Sequence, residues 1–317
     1  MADAQHYPAP YPPNPAPPRA KKGGRKKSIL WRIVFWLSLA VFLCSLSALG
    51  VIGYDYLKGQ VMYRDIASWG FVPPADVDDT SIGATLSGQP LADVVVDWNT
   101  LREKNPDTVG WIYIPGTVVN YPIVQGRDNY KYLTVDFLGG QGRVVRLGSI
   151  FLAAENSPDF SDPNNIVYGH HMQDGSMFAC IDGFMDQAQF DAHRTVYVFT
   201  PTANYRLTTF SLVIANGSDP IAQPRFSDPE DMARYFQDKI NRSVVRVGPD
   251  AIAAEDITKC FALVTCDFTI YDGRAVLFAS VVETAAPSAF PGSSNPGLGG
   301  LAEGDLAAID DATKELQ

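Results

Sequence analysis

A histidine, a cysteine and an arginine in this chain have the types and the spacing that acyl transfer needs. His170 lies in the run 165–172 (NIVYGHHM), and Cys266 is followed eight residues later by Arg274. A thiolate can attack a carbonyl carbon, an imidazole can move the proton, and a guanidinium, which stays charged, can stabilise the oxyanion. The three residues therefore predict a site for cysteine-dependent acyl transfer.

Eight short runs with strand-like patterning must position these residues. His170 follows the fourth run, Cys266 follows the seventh, and Arg274 begins the eighth, so the loop between the last two runs can bring Cys266 and Arg274 to one edge. Many short strands and few helices predict a mostly β fold with a closed or nearly closed eight-stranded barrel. The runs are 109–114, 118–122, 149–152, 165–168, 195–200, 205–214, 257–265 and 274–282.

Three helical patterns accompany the strands. The first, 91–104, precedes the first strand and is ended by Asn105 and Pro106. The second, 176–185, is short and apolar. The third, 229–241, repeats apolar residues at helical spacing on one face and is preceded by Ser227 and Asp228 as cap residues.

The chain carries one segment that can cross a bilayer. No charged residue occurs from Ile33 to Tyr54, and about 20 apolar residues are enough to span the hydrocarbon. Residues 1–32 hold seven Lys and Arg against one acid, which leaves 18 basic and 34 acidic residues for the rest of the chain. Because Lys and Arg favour the cytoplasmic side, we expect a single-pass membrane protein with its N-terminus inside and its catalytic domain outside.

A cleaved signal peptide is the competing interpretation of this segment. The sequence from Ser45 to Ala48 offers the small residues that a signal peptidase accepts. The apolar stretch is nevertheless long for such a signal, whose apolar region covers about 7–15 residues. An uncleaved anchor is therefore favoured, and a mature N-terminus near residue 49 would contradict it.

Composition divides the remaining chain. Residues 1–32 form a proline-rich and basic cytoplasmic tail, with seven prolines in the first 18 positions. Residues 55–90 are expected to be a juxtamembrane linker, helical at first, that holds the domain off the bilayer. The catalytic domain is predicted at 91–283, followed by a mobile tail at 284–317 that has little to bury.

Several classes of site are disfavoured. The basic cluster is short, lies at the membrane face and has no interleaved aromatics, and an acidic domain repels phosphate, so nucleic acid is not an expected partner. The histidines lack zinc-ligand spacing and the cysteines lack a CxxC pair, so we expect no metal and no cofactor. Cys180 and Cys260 lie in apolar surroundings and are expected to be inert thiols, although a disulfide between them stays open.

The chain resembles the class B sortases over about residues 91–283. The similarity is carried by five separated motifs that occur in the family's order. They are 105–117 (NPDTVGWIYIPGT), 120–129 (NYPIVQGRDN), 168–178 (YGHHMQDGSMF), 263–266 (LVTC) and Arg274. The helices at 91–104 and 229–241 are similar to the additions that class B makes to the common sortase barrel.

This resemblance implies a cysteine transpeptidase. Such enzymes cleave a C-terminal sorting signal of a secreted protein after Thr, hold the acyl part as a thioester, and pass it to an amine of the cell-wall peptide. By the resemblance, Cys266 is the nucleophile, His170 the general acid and base, and Arg274 the residue that binds the oxyanion and positions the substrate. The implied location is the outer side of the cytoplasmic membrane of a Gram-positive bacterium.

Residues near the three catalytic candidates are assigned structural or substrate-binding roles. Two adjacent histidines on a strand point to opposite sides, and the family pattern selects His170, so His171 is expected to be structural. Asn120 and Thr265 are candidates for substrate binding, although Asn120 can equally stabilise a turn. Class B members often carry Ser two residues before the cysteine, and Val264 occupies that position here.

Three alternatives stay open at this level. A sortase of this kind can instead polymerise pilin subunits, with a lysine of another subunit as the amine. A hydrolytic cysteine protease would release its product without regard to added amine. A non-catalytic barrel that binds extracellular peptides would leave Cys266 idle.

Overall fold

The computed structural model describes residues 29–72, 90–216, 219, 223–248, 251–267 and 273–288. The chain divides into two units, one ending at Leu49 and the other beginning at Gly50, and the second contains every strand of the described ranges. Three predicted segments lie outside the described residues: 1–28 of the cytoplasmic tail, 73–89 of the linker, and 289–317 of the C-terminal tail.

A single long helix, α1 (Ile29–Gly70), carries the apolar segment and continues beyond it. It is long and apolar enough to cross a membrane, and the apolar side chains of its first half are exposed. No proline occurs from Ile29 to Val72, and proline would disfavour a helix because it lacks a backbone donor and restricts the residue before it. The first part of the predicted linker, 55–70, is therefore helical.

Eight strands form a closed barrel, which confirms the prediction of an eight-stranded barrel. The strands are β3 (Thr108–Tyr113), β4 (Asn120–Val124), β5 (Ile150–Leu152), β6 (Asn164–Tyr168), β7 (Thr195–Phe199), β8 (Asn204–Asn216), β9 (Cys260–Asp267) and β10 (Gly273–Ala285). Each predicted run overlaps one of them. Their order around the barrel is β10-β8-β7-β3-β4-β5-β6-β9. The β4–β5 and β6–β9 pairs are parallel, and the other pairs with a described register are antiparallel.

The single helix predicted over 91–104 is wrong. The structure instead has a 3₁₀ turn (Leu91–Asp93), a short strand β2 (Val95–Val96) and the helix α2 (Trp98–Lys104). The β-branched valines of β2 pair with the two-residue strand β1 (Phe71–Val72), whose sequence position lies far upstream. The Asp97 side chain accepts the Thr100 N–H and so starts α2 only after this pair.

The other helices follow the predicted pattern more closely. In place of one helix at 176–185 the chain has two short ones, α3 (Cys180–Gly183) and α4 (Gln187–Ala192). The helix α5 (Pro229–Asn241) has the predicted bounds. Its N-cap is Asp228, whose carboxylate accepts the Asp231 N–H at 2.7 Å.

Two apolar clusters take alternate residues from β6, β9 and β10. The larger cluster gathers residues from all eight strands and includes Val167, Leu263 and Leu277. The smaller cluster contains their neighbours on the opposite face of the sheet, together with Phe236 of α5. Successive side chains on a strand point to opposite faces. The smaller cluster therefore marks the face of these three strands that α5 packs against. Its members on them include Ile166, Ala262, Val264, Val276 and Phe278.

Candidate active site

Strand pairing brings the ends of β6 and β9 to the same edge of the barrel. The two strands are parallel, with Tyr168 opposite Val264, and the Gly169 N–H donates to the Val264 carbonyl at 3.0 Å. His170 and Cys266 each lie two residues beyond this last pair. Because parallel strands end on the same side of a sheet, the positions of the two residues are level with each other.

Arg274 joins this edge through the next strand pair. The β9–β10 ladder is antiparallel, and its register sets Arg274 directly opposite Cys266. Residues directly opposite each other in such a ladder lie on the same face of the sheet. The Arg274 guanidinium is half-buried, and its Nη1 donates to the Gly273 carbonyl at 2.9 Å. The backbone register thus brings the three predicted positions together.

Strand alternation assigns positions 266 and 274 to one face. On β9, Ala262 and Val264 belong to the cluster that α5 packs against, so position 266 continues that face. The same alternation takes Val276 to position 274 on β10. His170 follows the end of β6 at Tyr168 and is placed at this edge by its position two residues beyond the last β6–β9 pair.

A backbone carbonyl orients the His170 ring. The Nε2 atom of His170 lies 2.5 Å from the carbonyl oxygen of Leu133, in the 3₁₀ turn Lys131–Leu133. A carbonyl can only accept, so Nε2 carries the proton and Nδ1 is the basic nitrogen of the neutral ring. In catalytic nucleophile–base pairs, a third group orients the base and is often a carboxylate. Here the Leu133 carbonyl is in the position to orient the His170 ring.

The loop after His170 closes on itself. The Phe178 N–H donates to the His170 carbonyl at 2.9 Å, and His171 forms an isolated bridge with Met177. Met177 adopts a positive φ of 57°, which a residue with a side chain rarely takes. Its N–H donates to the Tyr121 hydroxyl at 3.1 Å. These bonds hold the backbone of His170 in place from the C-terminal side.

His171 has a different environment. Its Nε2 lies 2.7 Å from Oδ2 of Asp182, and both side chains are mostly buried. The contact ties the loop after β6 to α3. The expectation that His171 is structural agrees with this position.

The two candidates for substrate binding have different surroundings. The side-chain Oδ1 of Asn120 accepts the Trp111 indole N–H at 2.8 Å, which ties β4 to β3. Thr265 is only 2 % exposed and lies on the face opposite that of Val264. This burial argues against direct contact of the Thr265 side chain with a bound peptide, and the substrate-binding role of both residues stays a prediction.

The remaining described cysteines are separate thiols. Cys180 and Cys260 are both free cysteines, so the possible disulfide between them does not form. Burial raises the pKa of the Cys180 thiol to about 11 and raises that of the Cys260 thiol as well. Neither thiol is therefore ionised near neutral pH.

Thiol labelling near neutral pH is expected to modify Cys266 faster than Cys180 or Cys260. The thiolate is the form that reacts, and the raised pKa values keep Cys180 and Cys260 protonated and unreactive. Brief iodoacetamide treatment of the full chain in detergent, followed by peptide mass mapping, measures the modification at each cysteine. Faster modification of Cys180 or Cys260 than of Cys266 would contradict this prediction.

Two parts of this site were missed from the sequence. The Leu133 carbonyl is one, and residue type cannot reveal it because every residue carries a carbonyl. The other is Gly148, which adopts a φ of +60° and lies against His170. A Cβ built on Gly148 would lie 2.7 Å from Cδ2 of the His170 ring. Only glycine fits beside the ring at this position.

Comparison with known proteins gives consistent matches. The Sortase domain family model matches residues 112–282. Sortase B of Listeria monocytogenes is 30% identical over 241 residues, which is 76% of this chain and 91% of that protein. The crystal structure of Clostridium perfringens sortase B has a TM-score of 0.54 at 29% identity and covers 59% of this chain and 100% of its own. A Bacillus anthracis protein described as similar to sortase B has a TM-score of 0.58 at 27% identity, with 72% and 97% covered.

Proposed function

Since this chain belongs to the sortase family, as a class B member, we propose that it is a membrane-anchored cysteine transpeptidase with Cys266, His170 and Arg274 as its catalytic residues. The observation that carries the proposal is the strand register. It sets Cys266 opposite Arg274, and it brings His170, two residues beyond the last β6–β9 pair, to the same edge of the barrel. These are the three groups that thioester chemistry requires.

In the first half-reaction, the Cys266 thiolate attacks the carbonyl carbon of the scissile peptide bond. The electron pair moves to the carbonyl oxygen, and the Arg274 guanidinium stabilises that oxyanion. His170, as imidazolium, donates a proton to the leaving amine when the C–N bond breaks. The products are a thioester on Cys266, a neutral imidazole and a free amine.

In the second half-reaction, an acceptor amine attacks the thioester carbonyl. The neutral His170 imidazole takes a proton from this amine, and the C–S bond breaks to return the thiolate. The contact with the Leu133 carbonyl occupies Nε2. Both proton transfers are therefore assigned to Nδ1.

The proposed substrates are secreted proteins with a C-terminal sorting signal, cleaved after Thr. The proposed acceptor is an amine of the cell-wall peptide. The pilin-polymerising alternative uses the same chemistry and differs only in that acceptor. Mass spectrometry of the product identifies the amine and separates the two.

We also propose that the catalytic unit lies outside the cytoplasmic membrane. The support is the apolar segment in α1 and the excess of Lys and Arg on its N-terminal side. Protease treatment of intact protoplasts should digest the catalytic unit and spare the first 32 residues if this orientation is correct.

Added amine is expected to divert the product. The full chain in detergent is incubated with a fluorescent sorting-signal peptide, with and without a glycine-based amine, and the products are identified by mass. Because the thioester partitions between water and amine, amine should convert the hydrolysis product into the amide adduct. If the products are the same with and without the amine, the result would instead support a hydrolytic protease. If neither turnover nor a thioester is detected, the result would support a non-catalytic barrel.

A further inference from the structure

One face of α1 contacts the loop that borders the catalytic histidine. Asp55, Gly59, Tyr63 and Ile66 are spaced by four, four and three residues, which places them on one side of a helix. The Asp55 carboxylate accepts the Val144 and Val145 N–H groups at 2.8 and 3.1 Å. These residues belong to the unit that contains the barrel.

Tight packing continues along the same face. A Cβ on Gly59 would lie 2.1 Å from Leu147, so the helix and the loop touch directly at this point. Ile66 is completely buried in the main apolar cluster. Segment 55–69 is thus part of the packed catalytic unit, although its sequence position predicts a linker.

Tyr63 lies where this contact reaches the active site. Its buried hydroxyl donates to the Gly148 carbonyl at 2.6 Å and accepts the Phe137 N–H at 3.4 Å. Gly148 in turn lies against the His170 ring, and a Cβ there would also be 2.9 Å from Nε2. A single residue therefore separates the Tyr63 hydroxyl from the imidazole.

The Tyr63 ring supports His170 by a second path. It packs edge-on against Tyr121, with ring centroids 5.3 Å apart. Tyr121 holds the Met177 N–H in the loop after His170. Tyr63 therefore touches both Gly148, which lies against the His170 ring, and Tyr121, which holds the loop that follows His170.

We propose that Tyr63 is a positioning residue for His170, so that the helix leading out of the apolar segment sets the geometry of proton transfer. This inference rests on the proposed catalytic role of His170. Tyr63 touches neither substrate nor reacting atoms; it acts by fixing the Gly148 carbonyl and, through Gly148, the plane of the imidazole.

The test is Tyr63→Phe in the full chain in detergent, because phenylalanine keeps the ring and removes only the hydroxyl. We expect kcat for amide formation to fall about fivefold to tenfold, the range of one lost hydrogen bond. KM for the sorting-signal peptide should stay close to that of the wild type, and the unfolding temperature should fall modestly, because the Gly148 carbonyl loses a buried partner. The fall in kcat, measured well below the unfolding temperature, separates positioning from a purely structural role, which would lower the unfolding temperature and leave kcat unchanged.

Two controls complete the test. Ile66→Ala removes packing from the same helix face without touching Gly148, so it should lower the unfolding temperature and leave kcat, measured well below that temperature, within twofold. Tyr205→Phe removes the hydroxyl of a buried tyrosine near Lys259. It should change neither the unfolding temperature nor kcat. A Tyr63→Phe enzyme with kcat within twofold of the wild type overturns the inference. If Cys266→Ala retains activity, the proposed function itself fails, which distinguishes the two outcomes.

Discussion

Replacing Cys266 with alanine is expected to abolish transpeptidation, with a loss of about 10⁵-fold or more, because no other group in the proposed site can form the thioester. The fold should survive, since position 266 lies in a regular ladder whose hydrogen bonds come from the backbone. Turnover of a sorting-signal peptide and the mass of the acyl-enzyme measure the loss. Thermal unfolding measures the fold.

Cys180→Ala is the matched control for this variant. It also removes one thiol, but Cys180 lies in α3 and is kept protonated by burial. Its activity should remain within about twofold of the wild type. An acyl-enzyme that persists in Cys266→Ala and disappears in Cys180→Ala would reverse the assignment of the nucleophile.

The His170→Ala variant is expected to lose about 10³-fold in kcat, within the range that general acid–base catalysis contributes. Without the imidazole, the leaving amine departs unprotonated and the thiolate loses its ion-pair partner. Alkylation of Cys266 should therefore require a higher pH than in the wild type, because the pKa of the thiol rises when a neighbouring positive charge is removed. Iodoacetamide kinetics across a pH series measure this shift.

The His171→Ala variant is the comparison for His170→Ala, because the two histidines are adjacent but have different contacts. Its imidazole lies 2.7 Å from the Asp182 carboxylate in a partly buried pair, so His171→Ala should reduce stability by about 1 kcal/mol and leave most of the activity. The physical reason is the separate environment of each ring, since His171 contacts Asp182 whereas His170 contacts the Leu133 carbonyl. A variant pair in which His171→Ala is inactive and His170→Ala is active would contradict the proposed roles.

Local patterns predicted most of the barrel correctly. All eight strands overlap runs identified by alternation and β-branched residues, and α5 has the predicted bounds because its cap and its apolar face are both encoded within 15 residues. The prediction of one helix over 91–104 was wrong because part of this segment is set by a distant contact. The valines of β2 pair with residues 71–72, and this long-range contact overrides local helix propensity.

The amino-acid sequence by itself determined the chemistry that is available: one thiol, one imidazole and one guanidinium at strand ends, and one segment able to cross a bilayer. Only the tertiary structure decided how these groups are held. The register of β6 against β9, the Leu133 carbonyl on His170 and the contact of Tyr63 with Gly148 all join residues at least 37 positions apart. Residue types and short-range periodicity carry no information about which backbone groups meet across such distances, because those contacts arise only when the barrel closes and residues 55–69 pack against it.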